Sequence, residues 1–204
     1  MKVVAERLGK RFRREWIFRN LELTLEGGNS YTFVGPNGSG KSTLLQILTG
    51  IQPPSEGQLT YSHQQKALDG DDWFRHLVMA APYLELIEEL TLLELLAFHQ
   101  SFKPFKNNLT PEQLSERMLL GHARHKEIKA FSSGMKQRVK LGLAFYSEAD
   151  IVILDEPTSN LDRQGVRWYG DHVVQLANQL LLIGSNQPEE YEFCPNIIDI
   201  TRWK

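Results

Sequence analysis

The chain has 204 residues, a length that suits one substantial domain with a subdomain and is too short for two independent domains. Its 23 lysines and arginines nearly balance its 25 aspartates and glutamates, so charge favours neither nucleic acid nor a membrane surface as the main partner. Cys194 is the single cysteine, which excludes an internal disulfide or a thiolate metal cluster and fits a reducing cytosol.

The sequence gives no sign of a membrane span. The stretch after Met1 lacks an apolar core of signal-peptide length, and no apolar run approaches the ~20 residues needed to cross a bilayer. We therefore expect any membrane span to be provided by another chain.

The N-terminal part of the chain predicts a small antiparallel sheet. Residues 3–8 can form a short strand, and the basic residues 10–14 are expected to form an exposed turn. Residues 21–25 alternate leucine with polar residues, as in a strand that buries one face. The glycines within residues 26–29 then turn the chain into a further strand.

A phosphate-loop pattern follows, between a strand and a helix. Residues 31–34 are apolar enough for a strand, and residues 44–48 carry apolar side chains at helical spacing. This context is the one that a nucleotide phosphate loop requires. The loop consists of Gly35, Pro36, Asn37, Gly38, Ser39, Gly40, Lys41, Ser42 and Thr43.

The residue types of this loop explain how it would hold phosphate. Glycine accepts positive φ, which lets successive backbone N–H groups point at one anion, and the following helix adds its positive end. We expect Lys41 to reach the outer phosphates, Ser42 to offer its hydroxyl to Mg²⁺, and Thr43 to contact the inner phosphates.

The centre of the chain changes from strands to leucine-rich helices. We expect a turn at residues 53–57, a strand at 58–62 and a buried strand at 76–81 that ends at Pro82. Residues 83–130 then predict a mostly helical subdomain.

A capping box marks the first helix of this subdomain. Thr91 is the predicted N-cap, and Glu94 lies three residues further on. Pro104 and Pro111 mark breaks between helices. Three leucines form the predicted inner stripe of the first helix: Leu92, Leu95 and Leu96.

Strands return in the last third of the chain. Residues 151–154 and 180–183 are predicted strands with a helix at 166–177 between them, which implies a parallel sheet with crossover connections. Asp155 and Glu156 follow the first strand, at the edge where such sheets bind ligands. We expect Asp155 to hold Mg²⁺ through a water, and Glu156 to orient or deprotonate the water that attacks the γ-phosphate.

A serine–glycine stretch precedes a helix predicted for residues 136–146. Taken alone, residues 131–135 are typical of a serine N-cap. Together with the other motifs, and over essentially the whole chain, this stretch resembles the nucleotide-binding subunit of ATP-binding cassette (ABC) transporters. The motifs that carry the resemblance are the phosphate loop, the serine–glycine stretch, Gln137-Arg138, residues 151–157 and Ser159-Asn160-Leu161-Asp162.

The resemblance implies a head-to-tail dimer that closes over two ATP molecules. The Ser132 side chain and the Gly134 backbone would address the γ-phosphate held by the other subunit, and Asp162 would lie in the loop that contacts the partner's site. Phe12 falls where the family places an aromatic residue that stacks on adenine; a core or turn aromatic is an equal alternative. Trp16 is the second candidate.

Three departures from the family pattern are expected to weaken the site. Ser133 replaces a glycine and Met135 a glutamine in the serine–glycine stretch, so a side chain stands where backbone should approach phosphate. Pro82 replaces a glutamine that senses Mg²⁺, and it offers no amide. Asn186 replaces a histidine near the γ-phosphate, so hydrolysis should lack a histidine's pH signature.

The implied fold is α/β. It has a phosphate-loop NTPase core with a mixed or parallel sheet, an N-terminal antiparallel β subdomain and an inserted helical subdomain. We expect one domain over residues 1–204, with the core in 1–82 and 149–204 and the helical subdomain in 83–148.

The implied function is an ATP-binding and ATP-hydrolysing subunit of a transporter, with ATP and Mg²⁺ as cofactors. Hydrolysis should be slow but real, with Glu156, Lys41 and Asn186 as the catalytic set. The expected partners are a second copy, or a similar ATPase, and an integral membrane chain that docks at residues 83–87. This would place the protein in the cytoplasm on the inner face of the membrane, with no role for nucleic acid.

Two alternatives stay open at this point. One is a nucleotide-gated binding module with little hydrolysis, which the altered motifs favour. The other is an ABC-class ATPase outside transport, although such proteins resemble two fused cassettes or a cassette split by a coiled coil, and this chain has neither.

Overall fold

A computed structural model describes residues 1–68 and 72–204. The strands, in chain order, are β1 (Lys2–Phe12), β2 (Glu15–Glu26), β3 (Ser30–Val34), β4 (Glu56–His63), β5 (Lys66–Ala67), β6 (Leu77–Ala80), β7 (Ile151–Asp155), β8 (Leu180–Gly184) and β9 (Asn196–Asp199). The α-helices are α1 (Lys41–Leu48), α2 (Leu92–Phe102), α3 (Pro111–Arg117), α4 (Ser133–Tyr146) and α5 (Arg163–Val173).

The N-terminal strands form an antiparallel sheet in the order β2-β1-β4-β5, which confirms the predicted β subdomain. The prediction of an exposed turn at residues 10–14 is wrong. Strand β1 continues to Phe12, which pairs with Glu15, so only two residues turn the chain. Lys10 is buried along its stem, and its Nζ donates to the Pro53 carbonyl at 2.7 Å.

The central sheet is parallel and has the order β6-β7-β8-β3-β9. Every residue of β7 and β8 is buried, as expected of strands that are covered on both faces. Gly184 at the end of β8 pairs with Asp155 on one side and with Phe33 on the other. The carboxyl ends of β7, β8 and β3 therefore meet at one edge of the sheet. Strand β9 was not predicted.

The two faces of this sheet pack against different cores. Val152 and Leu154 belong to a core shared with the helical subdomain and α5. Ile151 and Ile153 belong to a core shared with α1 and the antiparallel sheet. The alternation along β7 thus fixes the sheet between two apolar layers. Together the two sheets and their helices confirm the predicted α/β fold class.

The helical insertion begins as predicted. The Thr91 hydroxyl accepts from the Glu94 N–H and the Glu94 carboxylate accepts from the Thr91 N–H, a complete capping box for α2. The predicted inner stripe is buried, and Pro111 is the first residue of α3. None of the helices in the described ranges is both long and apolar enough to cross a membrane.

Two helix boundaries differ from the prediction because a capping residue lies further upstream. Helix α5 starts at Arg163, since the Asp162 carboxylate accepts from the Gly165 N–H at 2.7 Å, and it ends at Val173. Helix α4 starts at Ser133, since the Ser132 hydroxyl accepts from the Met135 N–H at 3.3 Å.

Candidate active site

The phosphate loop joins β3 to α1 through glycines with left-handed backbone. Gly35 and Gly40 have φ values of 145° and 107°. A Cβ atom at Gly40 would lie 2.4 Å from Ile17 Cγ2, and one at Gly35 would lie 2.8 Å from Ser39 Oγ, so larger residues are excluded at both positions. Gly38 has a φ of 76° and open space beside it, which leaves its backbone approachable.

Lys41 is folded over its own loop. Its Nζ donates to the carbonyls of Gly35 at 2.8 Å and Pro36 at 3.4 Å, and the residue is buried. Burial lowers the pKa of the Lys41 ammonium, and the carboxylates of Glu156 and Asp155 act in the opposite direction. The ammonium can therefore exchange two carbonyl oxygens for phosphate oxygens at the same place.

Asp155 is a buried carboxylate that lacks hydrogen-bond partners. The residue is fully buried, and neither oxygen accepts a hydrogen bond of standard geometry from the described residues. Burial raises the pKa of the Asp155 carboxyl, while the nearby hydroxyls of Ser42 and Tyr83 act to lower it. A carboxylate in this state needs a cation or a donor to offset its loss of water.

The oxygen groups at Asp155 fit a magnesium ion whose remaining ligands would be phosphate and water. The described residues hold no group of three or more His, Cys, Asp and Glu side chains that could bind a metal alone. Ser42 and Asp155 would supply two oxygen ligands, and Mg²⁺ commonly takes one or two protein groups plus substrate phosphates. The Ser42 hydroxyl acts on the pKa of Asp155, so the two predicted metal ligands are neighbours.

Glu156 sits on strained backbone at the mouth of the site. Its φ is 42°, a left-handed conformation that is uncommon for a residue other than glycine. Its N–H donates to the Gly184 carbonyl at 2.9 Å, which ties it to the end of β8. Its side chain is exposed and accepts a long hydrogen bond of 3.5 Å from the Ser159 hydroxyl. The carboxylate is therefore free to contact a water.

Asn186 contacts the phosphate loop directly. Its Nδ2 donates to Asn37 Oδ1 at 2.9 Å. The sequence predicts Asn186 near the γ-phosphate, and the structure places it beside the loop that would hold that group. One N–H of the Asn186 amide donates to Asn37. To contact a phosphate, Asn186 would use its second N–H or give up this bond.

The serine–glycine stretch lies on the surface, away from the phosphate loop of its own chain. Ser132 and Ser133 are exposed, and in the described part of the chain no hydrogen bond joins them to that loop. A Cβ at Gly134 would lie 2.8 Å from the Asn160 carbonyl oxygen, so this glycine is needed for packing within the chain. Asp162, besides capping α5, accepts from Arg138 Nη2 at 3.4 Å.

The two aromatic candidates for adenine differ in exposure of their rings. Phe12 is 45% exposed, with the Lys10 ammonium 5.2 Å from its ring centre. Trp16 is flanked by the guanidinium groups of Arg11 at 5.5 Å and Arg19 at 4.6 Å. Phe12 is therefore the ring with room for a stacked base, and its role remains a prediction.

Sequence reasoning missed Tyr83 at the metal site. From the sequence, Pro82 takes the place of the family's glutamine, and no polar group is predicted to replace the amide of that glutamine. In the structure the next residue, Tyr83, follows β6 at the same edge of the sheet as Asp155, because β6 pairs in parallel with β7. Burial raises the pKa of the Tyr83 hydroxyl, and the charge of Asp155 raises it further. The available signal was a polar side chain directly after the strand end that neighbours β7.

Glu190 is a second residue that sequence reasoning missed. Its carboxylate is 1% exposed and accepts from the Thr158 N–H at 2.8 Å and the Thr158 hydroxyl at 2.5 Å. Its other oxygen accepts from the Ser185 hydroxyl. This buried carboxylate therefore links the segment after Glu156 to the residue before Asn186.

Comparisons with known proteins point to one family. A family model described as "ABC transporter" matches residues 18–159. The "Uncharacterized ABC transporter ATP-binding protein YcbN" of Bacillus subtilis is 27% identical over 96% of this chain and 64% of its own length. The lantibiotic transport ATP-binding protein SrtF of Streptococcus pyogenes is 29% identical over 79% of this chain and 69% of its own length. The chain thus spans less than two thirds of YcbN.

Solved structures show the same fold. An ABC transporter ATP-binding protein from Pyrococcus furiosus has a TM-score of 0.80 at 18% identity, over 100% of both chains. The ATP-binding cassette MJ0796, in a dimeric post-hydrolysis state bound to ADP and Pi, has a TM-score of 0.83 at 21% identity, over 98% of this chain and 95% of that one.

The contacts of Glu190 give a test of the site's architecture. Glu190→Ala should destabilise the protein by about 3 kcal/mol or more, because three buried donors lose their acceptor. Glu189→Ala changes the exposed neighbour and should stay within about 0.5 kcal/mol of the wild type. Chemical denaturation of both variants measures the difference, and equal stabilities would contradict this role.

Proposed function

The chain belongs to the ABC transporter family, and on that premise we propose that it binds Mg²⁺-ATP at its phosphate loop and hydrolyses it. The observation that carries the proposal is the sheet edge where β3, β7 and β8 end. Three groups with different tasks lie together there: the loop for phosphate, Asp155 with Ser42 for metal, and Glu156 for water.

Binding would use the phosphate loop, the start of α1 and Lys41. The loop's backbone N–H groups and the start of α1 would hold the phosphates, and Lys41 would move its ammonium from the loop carbonyls to them. Phe12 would stack on the base. ATP and Mg²⁺ are therefore the cofactors that the donor set fits.

Ser42 and Asp155 would hold the metal, Asp155 through a water. When bound, Mg²⁺ neutralises charge on the phosphates and so assists the transfer of the γ-phosphoryl group. The unpartnered oxygens of Asp155 support this assignment, since the metal would supply the positive charge that the buried carboxylate lacks.

Hydrolysis would depend on Glu156. Its exposed carboxylate can orient or deprotonate a water in line with the γ-phosphate, and Asn186 can donate to that phosphate from the other side of the loop. Because Asn186 does not titrate and Ser133 adds a side chain to the phosphate-facing stretch, we expect slow turnover.

A second subunit is proposed to complete each site. Ser132 and Ser133 are exposed at the start of α4, where the N–H groups and the helix dipole favour an anion, yet their own chain offers them no phosphate loop. A head-to-tail homodimer, or a heterodimer with a similar ATPase, would bring each stretch to the other chain's nucleotide. Asp162 would lie at that interface.

We propose that a membrane-spanning chain is the partner that uses the energy of ATP hydrolysis. Residues 84–87, β6 and α2 line an apolar cleft of about 450 Å³. Phe98 is 48% and Phe102 74% exposed at its rim, a large apolar area for a soluble surface. The relatives' names are those of transport proteins. We propose that a short amphipathic helix of the membrane chain occupies the cleft, which would hold this protein at the cytoplasmic face of the membrane.

The hydrolysis proposal is tested with Glu156→Gln. Turnover of Mg²⁺-ATP by the wild type should exceed that of the variant by about 10²-fold or more, since the glutamine can no longer take a proton. Glu148→Gln is the matched control, because Glu148 is exposed and precedes the same strand at its opposite end. Background turnover by both chains would contradict hydrolysis and favour a nucleotide-gated binding module. Equal turnover well above background would contradict the role of Glu156.

The docking proposal is tested with Phe98→Asp. A charge in the apolar cleft should abolish co-purification with an integral membrane protein from detergent extracts and leave ATP binding intact. Val174→Asp is the control, because Val174 is 52% exposed outside the cleft. A wild-type chain recovered alone, or a Phe98→Asp chain that still co-purifies, would contradict docking at this cleft.

A further inference from the structure

Glu156 has a backbone conformation that its own sequence context opposes. Its φ is 42°, yet the next residue is a proline, which restricts the residue before it to extended conformations. Strain of this kind persists only where the surrounding structure holds it in place. The groups that fix the chain on either side of Glu156 are therefore part of its site.

The peptide group that joins Pro157 to Thr158 is held on both of its edges. Its carbonyl oxygen accepts from the Gln137 Nε2 at 2.8 Å, and its N–H donates to the Glu190 carboxylate at 2.8 Å. Gln137 is 2% and Glu190 1% exposed, so both bonds are shielded from water. Two buried side chains thus fix the plane of this peptide.

The fixed peptide constrains Glu156 because little freedom lies between them. The proline ring fixes the φ of Pro157, so one torsion, the ψ of Pro157, separates this peptide from the one that begins at Glu156. On the other side, the Glu156 N–H donates to the Gly184 carbonyl at 2.9 Å. The strained residue is therefore held between the end of β8 and the amide of Gln137.

One face of α4 presents Gln137 to this peptide. Gly134, Gln137 and Arg138 lie on that face, since they are spaced at i, i+3 and i+4. A Cβ at Gly134 would lie 2.8 Å from the Asn160 carbonyl oxygen, so helix and loop approach closely there. The Arg138 Nη2 donates to Asp162 at 3.4 Å. These contacts seat α4 against the loop, so the Gln137 amide meets its carbonyl from a fixed position.

We propose that Gln137 is a positioning residue for hydrolysis, whose amide fixes the Pro157–Thr158 peptide and thereby holds the Glu156 carboxylate where it can meet the attacking water. The inference rests on the proposed function and deepens it. A buried glutamine bonded elsewhere would be an ordinary satisfied core residue. This one is bonded to the peptide beside the strained residue, within the same chain.

Gln137→Met and Gln137→Asn remove the bond in two ways. Methionine keeps the length of the side chain without a donor, and asparagine keeps an amide but withdraws it by one methylene. The kcat for Mg²⁺-ATP should fall about 10-fold in each variant, because a small displacement of a reacting group lowers the rate strongly. The KM for ATP should stay at the wild-type value, since only the chemical step is affected.

Gln100→Met is the matched control. The Gln100 Nε2 also donates to a backbone carbonyl, that of Leu109 at 3.2 Å, but both residues lie in the helical subdomain away from Glu156. Its kcat and KM should both equal those of the wild type.

Mixed dimers separate positioning from a general structural role. An active chain is mixed with a large excess of Glu156→Gln chain, so that each active Glu156 works opposite an inactive chain. Adding Gln137→Met to the active chain should lower turnover about 10-fold, whereas adding it to the excess chain should leave turnover unchanged, because the hydrogen bond is made within one chain.

Three results would overturn the inference. They are wild-type kcat in both Gln137 variants, loss of ATP binding together with turnover in both, and an equal loss from either placement in the mixed dimers. A wild-type chain whose turnover does not exceed that of Glu156→Gln would instead contradict the proposed hydrolysis itself, and this inference with it.

Discussion

Asp155 is buried at the end of β7, and the electrostatics of the whole site follow from this burial. A carboxylate that is removed from water is costly when, as here, no group in the described part of the chain donates a hydrogen bond to it. The ammonium of Lys41 lies nearby but is turned toward loop carbonyls. The fold tolerates this because the two cores clamp β7 from both faces. A positive charge would offset this cost, and we propose that Mg²⁺ bound with ATP supplies it.

Long-range hydrogen bonds connect the surroundings of Asp155 and Glu156 to α4, the helix that would meet a second subunit. Gln137 of α4 donates to the Pro157 carbonyl at 2.8 Å, just beyond Glu156, and Lys140 of the same helix holds the Pro82 carbonyl. Glu190 links the segment after Glu156 to the end of β8. A change at the phosphate edge would therefore reach α4, whose first turn is proposed to meet the other subunit's nucleotide.

Local patterns were sufficient to predict that a glycine loop joins β3 to α1 and that Asp155 ends β7, because glycine geometry and a strand ending in acids are encoded by neighbouring residues. The roles of the loop, Asp155 and Glu156 toward ATP stay predictions. The role of Glu190 was not predictable in this way, since its contact with Thr158 joins residues 32 positions apart in the sequence. Lys10 was wrongly assigned to a turn because only the tertiary contact with Pro53 reveals that its stem is buried. The roles of Phe12, Ser132 and Asp162 depend on a ligand or second chain and remain predictions.

We propose that ATP joins two copies of this chain through their phosphate loops and exposed serine–glycine stretches. Light scattering of Glu156→Gln in Mg²⁺-ATP, with the wild type as reference, is the decisive experiment. The molar mass of the variant should double with nucleotide and return to the monomer value when ATP is removed. A variant that binds ATP and stays monomeric would contradict autonomous dimerisation and show that a partner must supply it.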